Sequence, residues 1–118
     1  MTRSTILRDS SIAFIGVGAM GEAMIGGLLR HRLVKADAIT AADLSPERLN
    51  TVAQLFKVST TNNNRAAVRK ADIVVLSVKP QVLSAVYTDL KGAFRPSTLV
   101  VSIAAGVSVT SIAAGLQH

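Results

Sequence analysis

Short apolar runs alternate with amphipathic stretches along the whole of this 118-residue chain. The apolar runs are typical of strands buried on both faces, and they predict strands near 11–16, 38–43, 57–59, 72–78 and 98–103. Apolar residues recur at helical spacing between them and predict helices near 19–32, 46–56, 64–70, 81–91 and 109–116. Such alternation is typical of right-handed βαβ units. We therefore predict an α/β fold, a doubly wound parallel sheet with helices on both faces.

Local capping signals support the helix positions. Ser45 and Pro46 offer an N-cap and a first-turn proline for the second helix. The run Asn62-Asn63-Asn64 offers caps for the third helix. Pro80 is expected to end the fourth strand, whose near-continuous apolar run from Ile73 belongs at the centre of the sheet.

A glycine-rich turn joins the first predicted strand to the first helix in the segment SIAFIGVGAMG. Gly16 permits a tight turn, Gly18 lets the backbone approach a pyrophosphate, and Gly21 lets the helix lie close to the strand. Phosphates then meet free N–H groups at a helix N-terminus. The strand, the glycine spacing and the helix together predict a Rossmann-type dinucleotide-binding turn.

Asp43 ends the second predicted strand, about 20 residues beyond the glycines, where an acidic residue is expected to bind the ribose hydroxyls. Its charge repels a 2′-phosphate, which favours NADH over NADPH as the NAD(P)H cofactor. An alternative stays open, in which Asp43 turns away and Ser45 and Arg48 hold a phosphate.

The composition argues against nucleic-acid binding, metal binding and membrane insertion. Net charge is +6, but the basic residues are scattered and aromatic residues make up 3%, so we expect no nucleic-acid partner. The chain has no cysteine, and we predict no metal site. Apolar stretches are far shorter than a membrane span, and residues 1–10 lack the apolar region of a signal peptide. We expect a cytoplasmic protein without membrane contact, with residues 1–10 as an extension and 11–118 as one domain.

Four polar or glycine-rich turns are expected to meet at one edge of the sheet. They follow the first, second, fourth and fifth strands, at Gly16–Gly21, Asp43–Ser45, Ser77–Pro80 and Ser102–Gly106. Ligands of open parallel sheets bind outside the carboxyl ends of the strands. With the first two turns at the pyrophosphate and the adenine ribose, the last two are left for the nicotinamide half.

Three segments resemble the pyrroline-5-carboxylate reductases: FIGVGAMGEAMIGGL (14–28), DIVVLSVKPQ (72–81) and VVSIAAGVS (100–108). The first is shared by many dehydrogenases, whereas the other two, in this order and spacing, are much more specific. The resemblance implies NAD(P)H-dependent reduction of the C=N bond of 1-pyrroline-5-carboxylate to proline. It also implies a homo-oligomer and a small imine substrate.

The predicted cofactor-binding residues combine those implied by the resemblance with the third glycine and the acidic residue. They are Ile15, Gly16, Val17, Gly18, Ala19, Met20, Gly21, Asp43, Ser45, Asn64, Ser77, Val78, Lys79, Pro80, Ala104, Ala105 and Gly106. The catalytic acid is not identified. Lys79 fits a backbone role in its proline-containing turn better than an acid role, and His31 and His118 are poor candidates.

The chain departs from the family by ending at His118, where a reductase continues into a helical domain for dimerisation and substrate binding. We therefore expect a cofactor domain that is inactive alone, as a truncated chain or a fragment of a longer gene product. Two alternatives stay open: an enzyme domain like the F420-dependent NADP oxidoreductases, and a non-catalytic dinucleotide-sensing module.

Overall fold

The computed structural model describes residues 10–103. The strands are β1 (Ile12–Ile15), β2 (Ile39–Ala42), β3 (Ser59–Thr61), β4 (Ile73–Leu76) and β5 (Leu99–Ser102). The helices are α1 (Ala19–Arg30), α2 (Pro46–Phe56), α3 (Asn64–Arg69) and α4 (Leu83–Leu90), with 3₁₀ turns at Ala36–Ala38 and Pro80–Val82.

All five strands are parallel and lie in the order β3-β2-β1-β4-β5. The chain builds outward from β1 to β3, and then crosses back to place β4 on the other side of β1. The strand order therefore reverses between β1 and β4, which is where ligands of doubly wound sheets bind. The predicted Rossmann-type fold is confirmed.

The sheet is covered on both faces, because successive side chains of β1 point to opposite sides. Phe14 packs in one cluster with Ile25 of α1 and Val52 of α2. Ile15 packs in the other cluster, which contains Val68 of α3 and the buried residues of α4. Burying an aliphatic or phenylalanine side chain of this kind stabilises the fold by about 1.5–3 kcal/mol.

Several predicted boundaries shift. The third strand begins at Ser59 rather than at 57, because Lys57 takes a left-handed conformation (φ 60°) that ends α2. The fourth strand ends at Leu76, before Pro80, and the predicted helix over 81–91 begins as a 3₁₀ turn before α4. The helix predicted over 109–116 and nearly all of the extension over 1–10 lie outside the described residues. The 3₁₀ turn before β2 was not predicted.

Candidate dinucleotide site

The turn after β1 requires glycine at two positions. Gly16 has a φ of +88°, and a Cβ there would lie 2.6 Å from Cγ1 of Val78. A Cβ at Gly21 would lie 2.9 Å from the carbonyl oxygen of Gly16, so the first turn of α1 packs directly on the loop. These two glycines therefore bring the loop, α1 and the end of β4 into close contact.

Gly18 differs from both, because a Cβ at this position meets no atom within 4 Å. It is the N-cap residue of α1 with an extended backbone (φ −72°, ψ −162°), and it offers no side-chain cap. Ordinary residues adopt this conformation, so neither backbone nor packing requires glycine here. The space in front of Gly18 adjoins the uncapped helix N-terminus, where N–H groups are free to bind an anion.

Ser77 joins the end of β4 to this loop. Its N–H donates to the carbonyl oxygen of Ile15 at 2.9 Å, and its hydroxyl donates to the carbonyl oxygen of Gly16. The predicted contact residue Ser77 thus uses its hydroxyl to hold the glycine loop against the neighbouring strand.

Asp43 lies just beyond β2, and both of its carboxylate oxygens accept backbone hydrogen bonds. Oδ2 accepts from the N–H of Val17 at 2.9 Å, and Oδ1 accepts from the N–H of Ser45 at 2.9 Å. Each oxygen keeps a second lone pair. Asp43 therefore fixes the glycine loop and still has acceptor capacity toward a ligand.

The side chain of Arg48 binds the carbonyl group of Val17, the loop residue whose N–H donates to Asp43. Its Nε and Nη2 donate to the carbonyl oxygen of Val17 at 3.0 and 2.8 Å, and Nη2 forms a 2.7 Å ion pair with Glu22 of α1. The N–H of Arg48 donates to Ser45 Oγ at 3.3 Å, which makes Ser45 the N-cap of α2, as predicted. Glu22 was not among the predicted site residues, although an acidic residue in a first helical turn is a readable signal.

These elements border a cleft with a volume of about 280 Å³ at the carboxyl ends of the strands. Eight predicted residues line it: Ile15, Gly16, Gly18, Asp43, Asn64, Ser77, Val78 and Lys79. The other predicted residues of the described part do not line it: Val17, Ala19, Met20, Gly21, Ser45 and Pro80. Ala104, Ala105 and Gly106 lie outside the described residues.

The three consecutive asparagines have separate roles. Asn63 caps α3, because its Oδ1 accepts from the N–H of Ala66 at 3.0 Å. Asn64 is the residue of the three that lines the cleft. The sequence pattern alone does not separate them, since each is a suitable cap.

Lys79 lies at the rim of the cleft, and its side chain is exposed. Its carbonyl oxygen accepts from the N–H of Val82 at 2.9 Å and begins the 3₁₀ turn. Leu44 lies within the predicted turn Asp43–Ser45 but was not singled out as a site residue, and it lines the cleft with 82% of its surface exposed. An isolated leucine between Asp43 and Ser45 gave no signal, because scattered exposed apolar residues are common.

Two residues with a shifted pKa, Asp72 and Tyr87, do not line the cleft. The N–H of Ser11, and then the guanidinium of Arg95, lower the pKa of Asp72, which precedes β4 at the opposite edge of the sheet. Burial raises the pKa of Tyr87 on α4. None of the helices within residues 10–103 has the length and hydrophobicity that a membrane-spanning segment requires.

Residues 11–106 match the family model described as "NADP oxidoreductase coenzyme F420-dependent". The chain is 46% identical over 105 residues to a pyrroline-5-carboxylate reductase of Pseudomonas aeruginosa, covering 89% of this chain and 38% of that protein. A solved pyrroline-5-carboxylate reductase of Coxiella burnetii superposes with a TM-score of 0.85 at 33% identity, covering 91% of this chain and 40% of that one.

A third relative, a Plasmodium falciparum pyrroline carboxylate reductase solved with NADP bound, superposes with a TM-score of 0.80. The superposition covers 93% of this chain and 39% of that one. Because the sequence identity is 24%, this similarity supports the fold alone. The chain spans about two-fifths of the length of the relatives it matches. The resemblance carried by the three sequence motifs is confirmed.

Proposed function

We propose that this chain, which belongs to the family described as "NADP oxidoreductase coenzyme F420-dependent", is the dinucleotide-binding domain of a pyrroline-5-carboxylate reductase. The proposed reaction adds a hydride to the imine carbon of 1-pyrroline-5-carboxylate and a proton to its nitrogen, giving proline. The chain matches about 40% of each reductase, so the activity of the whole enzyme is part of this proposal.

The open space in front of Gly18 is the observation that carries the proposal. Gly16 and Gly21 are needed for packing, whereas Gly18 has empty space where its side chain would be. A dinucleotide pyrophosphate bound at the uncapped N-terminus of α1 explains that space, because phosphate approaches the backbone closely there. Asp43 would then accept from the adenine ribose, and the turn from Ser77 to Pro80 would lie beside the nicotinamide half.

The chain's residues in this proposal bind and orient rather than transfer protons. A bound reduced nicotinamide supplies the hydride. Ser77 and Asp43 hold the loop that would position the pyrophosphate. The proposed backbone role of Lys79 is supported by its carbonyl oxygen, which accepts from the N–H of Val82. The cleft of about 280 Å³ is just below the usual range for ligand sites, roughly 300–1,000 Å³. A second domain and a homo-oligomer, as the resemblance implies, would complete the substrate pocket.

NADH is the preferred coenzyme in this proposal. The carboxylate of Asp43 keeps lone pairs that could accept from a free 2′-hydroxyl, and the alternative phosphate ligand Arg48 is already bound to Val17 and Glu22. The relative from P. falciparum was solved with NADP bound, but its sequence identity to this chain is too low to indicate which coenzyme this chain prefers. The predicted cytoplasmic location stays a prediction.

A coenzyme F420-dependent NADP oxidoreductase is the second candidate, because the matching family model carries that description. The identity of 46% to a pyrroline-5-carboxylate reductase favours the first candidate. A chain that binds a dinucleotide without contributing to either reaction would be a sensing module, the third possibility predicted from the sequence.

Calorimetric titration of the 118-residue chain and two glycine variants tests the proposal. Gly18→Val should weaken NADH binding by more than about tenfold, because its methyl groups occupy the phosphate space. Gly27→Val is the matched control, since a Cβ at Gly27 of α1 also meets nothing within 4 Å but lies away from the cleft. Circular dichroism checks that both variants fold. Equal NADH affinity in the two folded variants would contradict the proposal.

A companion assay follows absorbance at 340 nm with the imine present. The chain alone is expected to leave NADH unoxidised, since misplacement of the imine by about 1 Å can cost on the order of 100-fold in rate. Turnover by the chain at the rate of a complete reductase would make Lys79 the leading acid candidate.

A further inference from the structure

We infer that Glu22, through its ion pair with Arg48, is a coenzyme-selecting residue that acts against a 2′-phosphate. This inference rests on the proposed dinucleotide function and extends it to two residues that do not line the cleft. Both side chains are roughly one-third exposed, at 29% for Glu22 and 36% for Arg48, so neither charge is fully screened by solvent.

The pair is tied to the proposed ribose position through one residue. The carboxylate of Asp43 accepts from the N–H of Val17, and the guanidinium of Arg48 donates to the carbonyl oxygen of the same residue. The two opposite charges therefore lie on either side of Val17. Arg48 is the cation nearest in sequence to the turn after β2, where a 2′-phosphate would be recognised.

Glu22 decides what that cation can do. Its 2.7 Å contact with Nη2 of Arg48 neutralises the guanidinium, and Nη2 and Nε also donate to Val17. Together, Asp43, Glu22 and Arg48 carry a formal net charge of about −1 next to the proposed ribose site. A 2′-phosphate brings close to two further negative charges, whereas the 2′-hydroxyl of NADH brings none.

The affinities for the two coenzymes distinguish a selective role of the pair from a structural one. A pair that only held the loop in shape would affect NADH and NADPH equally, because both share the pyrophosphate. A pair that sets the local charge affects the ratio of their affinities, with opposite signs for the two partners. Removing Glu22 frees a positive charge, and removing Arg48 leaves two carboxylates uncompensated.

Paired titrations of NADH and NADPH test the inference on the 118-residue chain. Glu22→Gln should raise the affinity for NADPH relative to NADH by about fivefold, as expected for one charge acting across a partly screened distance. Arg48→Gln should lower the same ratio. Asp37→Asn is the charge-matched control, since this exposed residue precedes β2 at the opposite edge of the sheet and should leave the ratio unchanged.

The outcomes distinguish this inference from the proposed function. Ratios that stay unchanged in both variants, while both coenzymes still bind, would overturn the inference and leave dinucleotide binding standing. Failure of the unaltered chain to bind either coenzyme would contradict the proposed function as well. Glu22→Ala, which keeps a good helix former in α1, replaces Glu22→Gln if that variant does not fold.

Discussion

At the scale of single residues, Val17 is the point at which the glycine loop is held in shape. Its N–H donates to Asp43 and its carbonyl oxygen accepts from Arg48, so side chains from the segment after β2 bind both of its polar groups. The side chain of Val17 is fully buried as well. The loop that would meet the pyrophosphate is therefore fixed before any ligand arrives, which reduces the entropy lost on binding.

Asp43→Ser tests the two roles of the carboxylate together. We expect weaker binding of NADH, because the ribose acceptor and the bond to the N–H of Val17 are both lost. The ratio of NADPH to NADH affinity should rise, because a negative charge is removed. Titration of both coenzymes measures each effect, and an unchanged preference for NADH would remove Asp43 from the ribose site.

At the scale of secondary-structure elements, the caps decide where helices begin near the cleft. Ser45 caps α2 and Asn63 caps α3, and each cap places the next residues at the carboxyl edge of the sheet. Asn64 owes its position on the cleft to the cap formed by its neighbour. The identity of a single capping residue thus affects which residues border the candidate site.

Replacing Asn63 with alanine should lower the free energy of unfolding by about 1 kcal/mol, the usual cost of losing an N-cap. The physical reason is the loss of the 3.0 Å bond from the N–H of Ala66 to Oδ1. Urea denaturation measures the change, with Asn62→Ala as the control, because Asn62 is exposed and is not the cap. Equal losses in the two variants would contradict the assigned cap.

The parallel strands and the glycine loop could be predicted from the sequence because they depend on local patterns. Near-continuous apolar runs predict buried parallel strands, and Gly16 and Gly21 have packing roles that their spacing indicates. The ion pair between Glu22 and Arg48 could not be predicted, because the two residues lie on different helices and meet only through tertiary packing. The start of β3 differs from the prediction for a local reason, because Lys57 takes a left-handed conformation.

At the scale of the whole molecule, polar groups divide between the two edges of the sheet. The carboxyl edge carries the cleft, whereas the opposite edge carries a bonded group in which Asp72 contacts Ser11 and Arg95. Arg95 also donates to the carbonyl oxygen of Ala71 at 2.7 Å, and so ties the segment before β5 to the start of β4. One edge is thus available for binding and the other maintains the strand alignment.

The pH dependence of stability follows from the lowered pKa of Asp72, whose ordinary value is 3.8. Its stabilising contribution is fully present above that value and is lost as the pH falls through the lower folded value. The ion pair between Asp72 and Arg95 is nearly half exposed, so we expect it to contribute no more than about 1 kcal/mol to the free energy of unfolding. Thermal unfolding should give Asp72→Asn a lower Tm than the unaltered chain at pH 7, and this difference in Tm should shrink as the pH falls below 3.8. A difference in Tm that does not change with pH would contradict this assignment.

The most direct test of dinucleotide binding at the carboxyl edge is an NMR titration of the ¹⁵N-labelled chain with NADH. If NADH binds at this edge, the amide resonances of Gly16, Gly18 and Leu44 should shift in a saturable way. The amides of Ser11 and Asp72 at the opposite edge should stay in place. A titration that leaves the glycine-loop amides unmoved, or that shifts only the amides of the opposite edge, would contradict dinucleotide binding at the carboxyl edge.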